Sequence, residues 1–205
     1  MSQTVTFAEL EPAEFRPAIN QFVAVYAAAM SPPERLLAGR ESILERHAAN
    51  PGFRALTATA DGVLAGFTYG FHGLPGQWWH DMVAGALAAS PAHSGTPSPT
   101  AWLADSFEVA ELHVLPAYQG IGAGRSLLLR LVSGRPESTA VLSTQDTESR
   151  ARRLYRDVGF VDLLTGFRFS GGEPPYAVMG ARLPLRSVRP GTDTAAPARS
   201  PSPSN

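Results

Sequence analysis

Residues 108–124, with the sequence EVAELHVLPAYQGIGAG, decide the fold of this chain. The apolar residues at the start of this segment predict a strand, and Pro116 ends it because proline cannot donate to a sheet ladder. The residues that follow predict a helix, whose apolar face is formed by Leu127, Leu128, Leu131 and Val132. The sequence therefore predicts a strand that passes through a proline turn into a helix with a glycine-rich first turn.

The first turn of this helix is typical of an anion-binding loop. Backbone N–H groups at a helix start have no intrahelical acceptor and lie at the positive end of the helix dipole. Glycines there let an anionic group approach the backbone closely, and a pyrophosphate is the natural ligand. A P-loop is excluded because the chain contains no lysine, and the glycine spacing differs from that of a dinucleotide-binding fingerprint.

The spacing Gln119-x-x-Gly122-x-Gly124 resembles the Q/R-x-x-G-x-G/A pattern of the GNAT acetyltransferase superfamily. A V-x-P sequence at 114–116 precedes the loop, and A-x-x-L-Y-x-x-x-G-F at 151–160 is similar to the second signature of that family. The resemblance implies an α/β fold with a mixed central sheet of about seven strands and helices on both faces. It also implies that the strands before and after the loop splay apart to form a cleft for acyl-CoA.

The predicted order of elements is β-α-α-β-β, an insert, and then β-α-β-α-β-β. We expect this order to form one acetyltransferase domain over residues 1–186, in which the Asp-Gly pair at 61–62 closes the clearest hairpin. The insert or loop at 76–105 is expected at the acceptor side. Residues 187–205 are rich in proline and serine, and we expect a disordered tail.

Composition excludes several classes of function. The chain has 205 residues, 44% of them hydrophobic, and a net charge of −1, which does not favour a general binder of nucleic acid or anionic membranes. The absence of cysteine removes disulfides, thiolate metal sites and a cysteine nucleophile. The five histidines are scattered without ligand spacing, so no metal site is expected. No leader or apolar span is evident, and we expect a cytoplasmic protein; the arginine-only cations suggest a GC-rich bacterial coding sequence.

The resemblance implies acetyl-CoA as co-substrate, with its pyrophosphate against the glycine loop and its pantetheine arm along the preceding strand. In that arrangement the Leu112 amide would face the thioester oxygen. The alternative is a glycine-rich turn that only allows close packing of helix and strand. The cofactor-binding residues implied by the family are Leu112, His113, Val114, Gln119, Gly120, Ile121, Gly122, Ala123, Gly124, Arg125 and Tyr155.

Tyr155 is the candidate general acid. In the family, the tyrosine of this second signature approaches the cofactor sulfur and protonates the departing thiolate. The alternative is a tyrosine packed on its own helix, and both roles are compatible. The sequence departs from the family at Glu148, where the family often has an asparagine that contacts the pantetheine arm. A carboxylate is an acceptor only, so this contact must be lost, altered or supplied by Thr144 or Gln145.

Glu108 is the candidate general base, because several family members place a glutamate or histidine at this distance from the loop. Regular strand alternation predicts that Glu111 and His113 lie on the opposite face from Glu108, which would share its face with Ala110, Leu112 and Val114. Beside an apolar cleft, Glu108 would have a raised pKa and could deprotonate an amine, directly or through water. A structural carboxylate paired with arginine is the alternative, and Glu111 and His113 are weaker candidates for the base.

The acceptor side is expected between the first helices and the insert. Aromatic rings and carboxylates suit a cationic amine on an apolar body. The two adjacent tryptophans could instead cap the sheet or form a dimer contact. The candidate substrate residues are Tyr26, Met30, Trp78, Trp79 and Asp105.

These observations favour an N-acetyltransferase that moves acetyl from acetyl-CoA to a primary amine, as in the family the sequence resembles. Direct attack in a ternary complex is expected because no cysteine is available for a covalent relay. A small-molecule amine is the first choice of acceptor, and an N-terminal or peptide amine is the second. A non-catalytic acyl-CoA-binding sensor is the alternative from another class. The protein would be a monomer or a homodimer.

Overall fold

The computed structural model describes residues 4–90, 99–169 and 174–185. The predicted disordered tail at 187–205 lies outside these residues. In chain order the elements are β1 (Val5–Leu10), α1 (Pro12–Phe15), α2 (Ile19–Met30), α3 (Arg40–His47), β2 (Arg54–Ala60), β3 (Val63–Gly73), α4 (Trp78–Ala89), β4 (Ser106–Val114), α5 (Ala123–Val132), β5 (Thr139–Gln145), α6 (Arg150–Asp157), β6 (Val161–Phe167) and β7 (Tyr176–Arg182). The predicted order is confirmed, except that the first predicted helix is divided into α1 and α2, and α4 lies inside the insert. No helix in the described part of the chain is long and apolar enough to span a bilayer.

The β2–β3 hairpin closes as predicted. Asp61 and Gly62 have φ angles of 53° and 76°, and two consecutive positive φ values match the right-handed twist of the flanking strands. Ala60 pairs with Val63 across this two-residue loop. Local sequence is therefore enough to fix the register at this end of the sheet.

The seven strands form one sheet in the order β1-β2-β3-β4-β5-β7-β6. All neighbours are antiparallel except β4 and β5, which pair in parallel at only three positions, the last being Glu108 with Val141. Beyond that pair β4 continues to Val114 and β5 to Gln145 without pairing to each other. The splay implied by the family resemblance is confirmed, and it opens immediately after Glu108.

Helices cover the two faces of the sheet differently. On one face, α5 and α6 contribute to a single apolar cluster that includes all four leucine and valine residues predicted for the α5 face. On the other face there are two clusters. One joins α1, α2 and α3 to β2 and β3, and the other joins α4 to β5 and β7. The boundary between these two clusters follows the β4–β5 seam.

A β-bulge at Ala110 corrects the predicted faces of β4. Tyr69 pairs with Glu111 but the next residue, Gly70, pairs with Val109, so one extra residue of β4 is inserted between them. Glu108 lies opposite Phe71, Glu111 opposite Tyr69 and His113 opposite Phe67. Because directly paired residues share a face, these three β4 side chains lie together on the face covered by α2 and α3. The prediction that Glu111 and His113 lie opposite to Glu108 was wrong.

Candidate active site

The glycine loop lies at the mouth of the opening between β4 and β5. Gly120 and Gly122 have φ angles of 84° and 91°, which side chains with a Cβ adopt only with strain. Gly122 is the N-cap of α5, so the first-turn amides after it have no acceptor within the helix. The Gln119 side-chain amide donates to the carbonyl oxygen of Val114 at 2.9 Å and fastens the loop to the end of β4.

The space around the loop suits a bulky anionic group. A Cβ built at Gly122 meets no atom within 4 Å, and one built at Gly124 makes only ordinary contacts, at 3.7 Å to Val114 and 3.8 Å to Leu154. Ile121, between the glycines, is exposed. The backbone of the loop can therefore be approached closely from outside. Of its glycines, Gly120 and Gly122 have backbone angles that favour glycine, whereas Gly124 does not.

Arg150 is a candidate phosphate ligand that sequence reasoning missed. Its Nη1 lies 3.9 Å from the position of a Cβ built at Gly120, and the side chain is exposed at the start of α6. The residue proposed from sequence, Arg125, lies in the first turn of α5 and is partly buried. The three arginines within residues 150–153 were the available signal in the sequence. That one of them lies close to a loop 30 residues earlier could be known only from the fold.

Tyr155 lies on α6 and packs inward. Ser149 caps the helix by accepting from the Arg152 amide at 3.1 Å, and Tyr155 is 7% exposed with its ring centroid 5.8 Å from that of Phe160. Burial, and secondly the negative charge of Glu111, raise the pKa of Tyr155 well above its ordinary value. The phenol is therefore protonated at neutral pH and can donate, while its ring contributes to the core.

Glu148, which departs from the family pattern, forms an ion pair on the outer side of α6. Its carboxylate accepts from Arg156 Nη1 at 2.7 Å on the exposed side of α6. Arg156 also pairs with Asp162 at 3.1 Å, so the ion pairs tie α6 to β6. Glu148 therefore stabilises the helix position.

Glu108 lies at the vertex of the opening, on the seam between the two apolar clusters. Its β3 neighbour Phe71 belongs to the cluster under α2 and α3, and its β5 neighbour Val141 belongs to the cluster under α4. Glu108 is 5% exposed, and its Oε2 has no hydrogen-bond partner among the described residues. Burial, and secondly the charge of Glu111, raise the pKa of Glu108 to about 8.

A buried ionic cluster lies beside Glu108 on the same face. Arg40 Nη2 donates to Glu111 Oε1, and the His113 ring bonds Glu111 Oε2 through Nε2. Tyr26 joins this cluster, because the Arg40 guanidinium lies 4.0 Å from its ring centroid and the His113 ring meets it edge-on at 5.1 Å. Sequence reasoning proposed Tyr26 for the acceptor side but missed Arg40, which lies 71 positions before Glu111.

The other candidate substrate residues separate into three positions. Trp79 lies on the same side of the sheet as Glu108 and donates from Nε1 to Ser143 Oγ at 3.1 Å. Trp78 is 59% exposed and packs on Phe169, with ring centroids 5.3 Å apart. Met30 is exposed at the end of α2.

Asp105 does not lie at the opening. Its Oδ2 accepts from the Ser138 backbone N–H at 2.9 Å and from its Oγ at 2.6 Å, at the end of the seam where β4 and β5 are still paired. The expectation that Asp105 lines the acceptor side is therefore corrected. Asp105 does lie at a strand end, directly before β4, but this is the closed end of the β4–β5 seam. The residues that the structure describes contain no group of three or more side chains able to hold a metal ion.

Comparisons with known proteins agree with the fold and with the glycine loop in indicating an acetyltransferase. The model of the acetyltransferase (GNAT) family matches residues 22–160, which is more than half of the chain. A relative from Mycobacterium tuberculosis, the GCN5-like protein acetyltransferase Rv2170, is 31% identical over 204 residues that cover 86% of this chain and 97% of the relative.

Solved structures share the fold. The ribosomal-protein-S18-alanine N-acetyltransferase of Escherichia coli has a TM-score of 0.57 at 17% identity, covering 90% of this chain and 97% of its own. The PaiA N-acetyltransferase of Thermoplasma acidophilum, solved in complex with coenzyme A, has a TM-score of 0.51 at 14% identity, covering 87% and 99%. At these identities the two structures support the fold alone. From the family model and the mycobacterial relative, the chain belongs to the GNAT acetyltransferase family and is an acetyl-CoA-dependent N-acetyltransferase.

Proposed function

We propose that this enzyme transfers acetyl from acetyl-CoA to a primary amine of a small molecule, which attacks the thioester directly in a ternary complex. Glu108 accepts the proton of the amine and Tyr155 donates a proton to the departing thiolate. The observation that carries this proposal is the buried Oε2 of Glu108, which has no partner among the described residues and lies where β4 and β5 begin to diverge.

The residues present fit acetyl-CoA. The positive-φ glycines and the first-turn amides of α5 offer donors to a pyrophosphate, and Arg150 adds a cation beside them. The pantetheine arm takes the β4 edge that β5 leaves unpaired after Glu108, along Leu112, His113 and Val114. The thioester then lies at the opening beside Glu108, and Tyr155 is near enough to β4 for the charge of Glu111 to act on its phenol.

The proton balance needs one acceptor and one donor. An alkyl ammonium has a pKa of roughly 10, so the acceptor must lose a proton before or during attack. The ammonium first releases one proton to solvent. The neutral amine nitrogen then attacks the thioester carbon, the carbon–sulfur bond breaks, and the second N–H proton passes to the Glu108 carboxylate. Overall, ammonium and acetyl-CoA give the amide, the CoA thiol and one proton. A carboxylate with a pKa of about 8 is a stronger base than an ordinary glutamate. Tyr155 remains protonated at neutral pH and supplies a proton to the thiolate.

The acceptor enters from the face that carries Glu108. The boundary between the α2–α3 cluster and the α4 cluster lies there, with Tyr26 on one side and Trp79 on the other. Ring faces on both sides favour a compact amine with an apolar body. A protein amine is the second candidate acceptor, because the relative at 31% identity is named a protein acetyltransferase.

The test combines binding and turnover. Calorimetric titration with acetyl-CoA is followed by a thiol-release assay with small primary amines and, separately, with lysine-containing peptides and proteins. Because the chain has no lysine, ε-acetylation seen by mass spectrometry must lie on the added acceptor. Thiol release with small amines, lost in Glu108→Gln, supports the proposal. Release with peptides alone selects the second candidate, and full turnover in Glu108→Gln contradicts the role of Glu108.

A further inference from the structure

Two buried carboxylates share one face of β4 because of the bulge at Ala110. Without the extra residue, Glu108 and Glu111 would lie on opposite faces, since three positions of a regular strand invert the side chain. With it, both face α2 and α3, opposite Phe71 and Tyr69 on β3. The Glu111 side chain is 10% exposed, so its charge is screened little by water.

The two carboxylates have different partners. Both oxygens of Glu111 are engaged, one by Arg40 and the other by His113, whereas Oε2 of Glu108 has no partner in the described residues. Burial alone would raise the pKa of Glu111, but the bond from His113 and the charges of His113 and Arg40 outweigh it and lower that pKa. Glu111 is therefore an anion at neutral pH, and each of its oxygens already accepts from a protein donor.

We propose that Glu111 is a positioning residue for this reaction: Arg40 and His113 hold it as a fixed anion beside Glu108, and its charge sets the pH range in which Glu108 accepts a proton. The proposal rests on the proposed role of Glu108 as base. It assigns Glu111 an electrostatic role in place of the alternative that Glu111 is itself the base.

Other titratable groups lie on the elements that pack against the Glu108 face of the sheet. Burial lowers the pKa of His47 to about 4 and raises that of Tyr69, so neither is charged at neutral pH. His80 on α4 pairs with Asp81 at 3.2 Å. The remaining charges on this face beside Glu108 belong to the cluster of Arg40, Glu111 and His113, and Glu111 is the charge that acts on the pKa of Glu108. Among the described residues, the titratable or charged groups beside Glu108 on this face include Tyr26, Arg40, His47, Tyr69, His80, Glu111 and His113, and Tyr155 on α6 is close enough for the charge of Glu111 to act on it.

The test is the pH dependence of kcat/KM in Glu111→Gln. Removing the anion, and leaving the Arg40 cation uncompensated, should move the acidic limb that belongs to Glu108 to lower pH by roughly one unit. A purely structural role would lower kcat without moving the limb. The same substitution in a Glu108→Gln background must produce no shift, because the titrating group is then absent.

Glu111→Gln leaves a buried cation and could fail to fold. The double variant Arg40→Met with Glu111→Gln removes both charges together and should show a smaller shift towards lower pH, because the cation that favours the Glu108 carboxylate is also lost. A limb that stays in place in either folded variant overturns the inference. The same titration can be followed without turnover by measuring thermal stability against pH. For each variant, the difference in stability between the proteins with and without Glu108→Gln reports the titration of Glu108. If Glu108→Gln leaves turnover intact but the stability difference still shifts, Glu111 acts on the titration of Glu108, whereas the role of Glu108 as base fails and the positioning role of Glu111 in the reaction fails with it.

Discussion

Each end of the β4–β5 seam has a buried glutamate, and the two carboxyl groups differ in their hydrogen-bond partners. At the closed end Glu137 is 4% exposed and accepts from Arg135 Nε at 2.9 Å and Nη2 at 2.5 Å, and from His72 Nδ1 at 3.2 Å. At the open end Glu108 is 5% exposed and one oxygen has no partner among the described residues.

The difference in partners produces a difference in protonation. Burial would raise the pKa of Glu137, but its bonds from Arg135 and His72 lower it below the ordinary value. Burial without such bonds raises the pKa of Glu108 to about 8. An unpartnered buried polar group is destabilising, and a catalytic role is one reason for which a fold retains such a group. The partners of Glu137 indicate a structural role for it, and the lack of a partner at Glu108 Oε2 among the described residues supports its proposed role as base.

The largest expected effect comes from exchanging each acid for its amide. Glu108→Gln should lower kcat by about 10²- to 10⁴-fold, because it removes the proton acceptor, and leave acetyl-CoA affinity unchanged. Glu137→Gln, the matched variant at the closed end, should leave kcat nearly unchanged. Steady-state kinetics and calorimetric titration measure both. Equal losses of kcat in the two variants would remove the distinction between the ends.

The second prediction removes one hydroxyl at each end. Tyr155→Phe at the open end should lower kcat by about 10²-fold with little change in acetyl-CoA affinity. Thr139→Val at the closed end removes a hydroxyl that donates to the Trp102 carbonyl at 2.8 Å, and it should reduce stability by about 1 kcal/mol without affecting kcat. Unchanged turnover in Tyr155→Phe would exclude the phenol as the proton donor.

The third prediction concerns stability. Glu137→Gln leaves the guanidinium of Arg135 without its carboxylate, so the free energy of unfolding should fall by about 2 kcal/mol at pH 7. Glu108→Gln should not destabilise in this way. Denaturant titration gives the free energies of unfolding. A Glu137→Gln protein as stable as the wild type would show that the closed-end bonds contribute little.

The smallest expected effect compares the two ends of α5. Gly122 at its start and Gly134 after its end have positive φ angles of 91° and 71°, and neither has an atom within 4 Å of a built Cβ. Substitution by alanine should therefore cost about 1 kcal/mol of stability at each position. Only Gly122→Ala should weaken acetyl-CoA binding, by about tenfold. Equal affinities in the two variants would exclude the loop from the cofactor site.

Local sequence patterns accounted for much of the fold. The Asp61-Gly62 turn, the apolar face of α5 and the glycine N-cap each depend on residues close in sequence, so they were predictable. The splay after Glu108 was accessible only through the family resemblance, since periodicity does not encode where two strands stop pairing.

The parts of the site that could not be predicted depend on distant residues or on an irregular strand. The bulge at Ala110 has no local signature in an apolar strand, and it inverted the expected face of Glu111 and His113. Arg40 reaches Glu111 from another helix, which spacing along the sequence cannot show. Asp105 was placed at the wrong end because nothing near it in sequence identifies Ser138 as its partner.

The most direct test of the account is the ratio of kcat/KM for the wild type to that for Glu108→Gln, measured against pH with one acceptor amine. Ionisation of the amine affects both proteins and cancels in the ratio. Glu108 is a base only when deprotonated, so the ratio should rise about tenfold per pH unit below its pKa and level off above about 8. A ratio that does not change between roughly pH 6 and pH 9 would contradict the assignment of Glu108 as the proton acceptor.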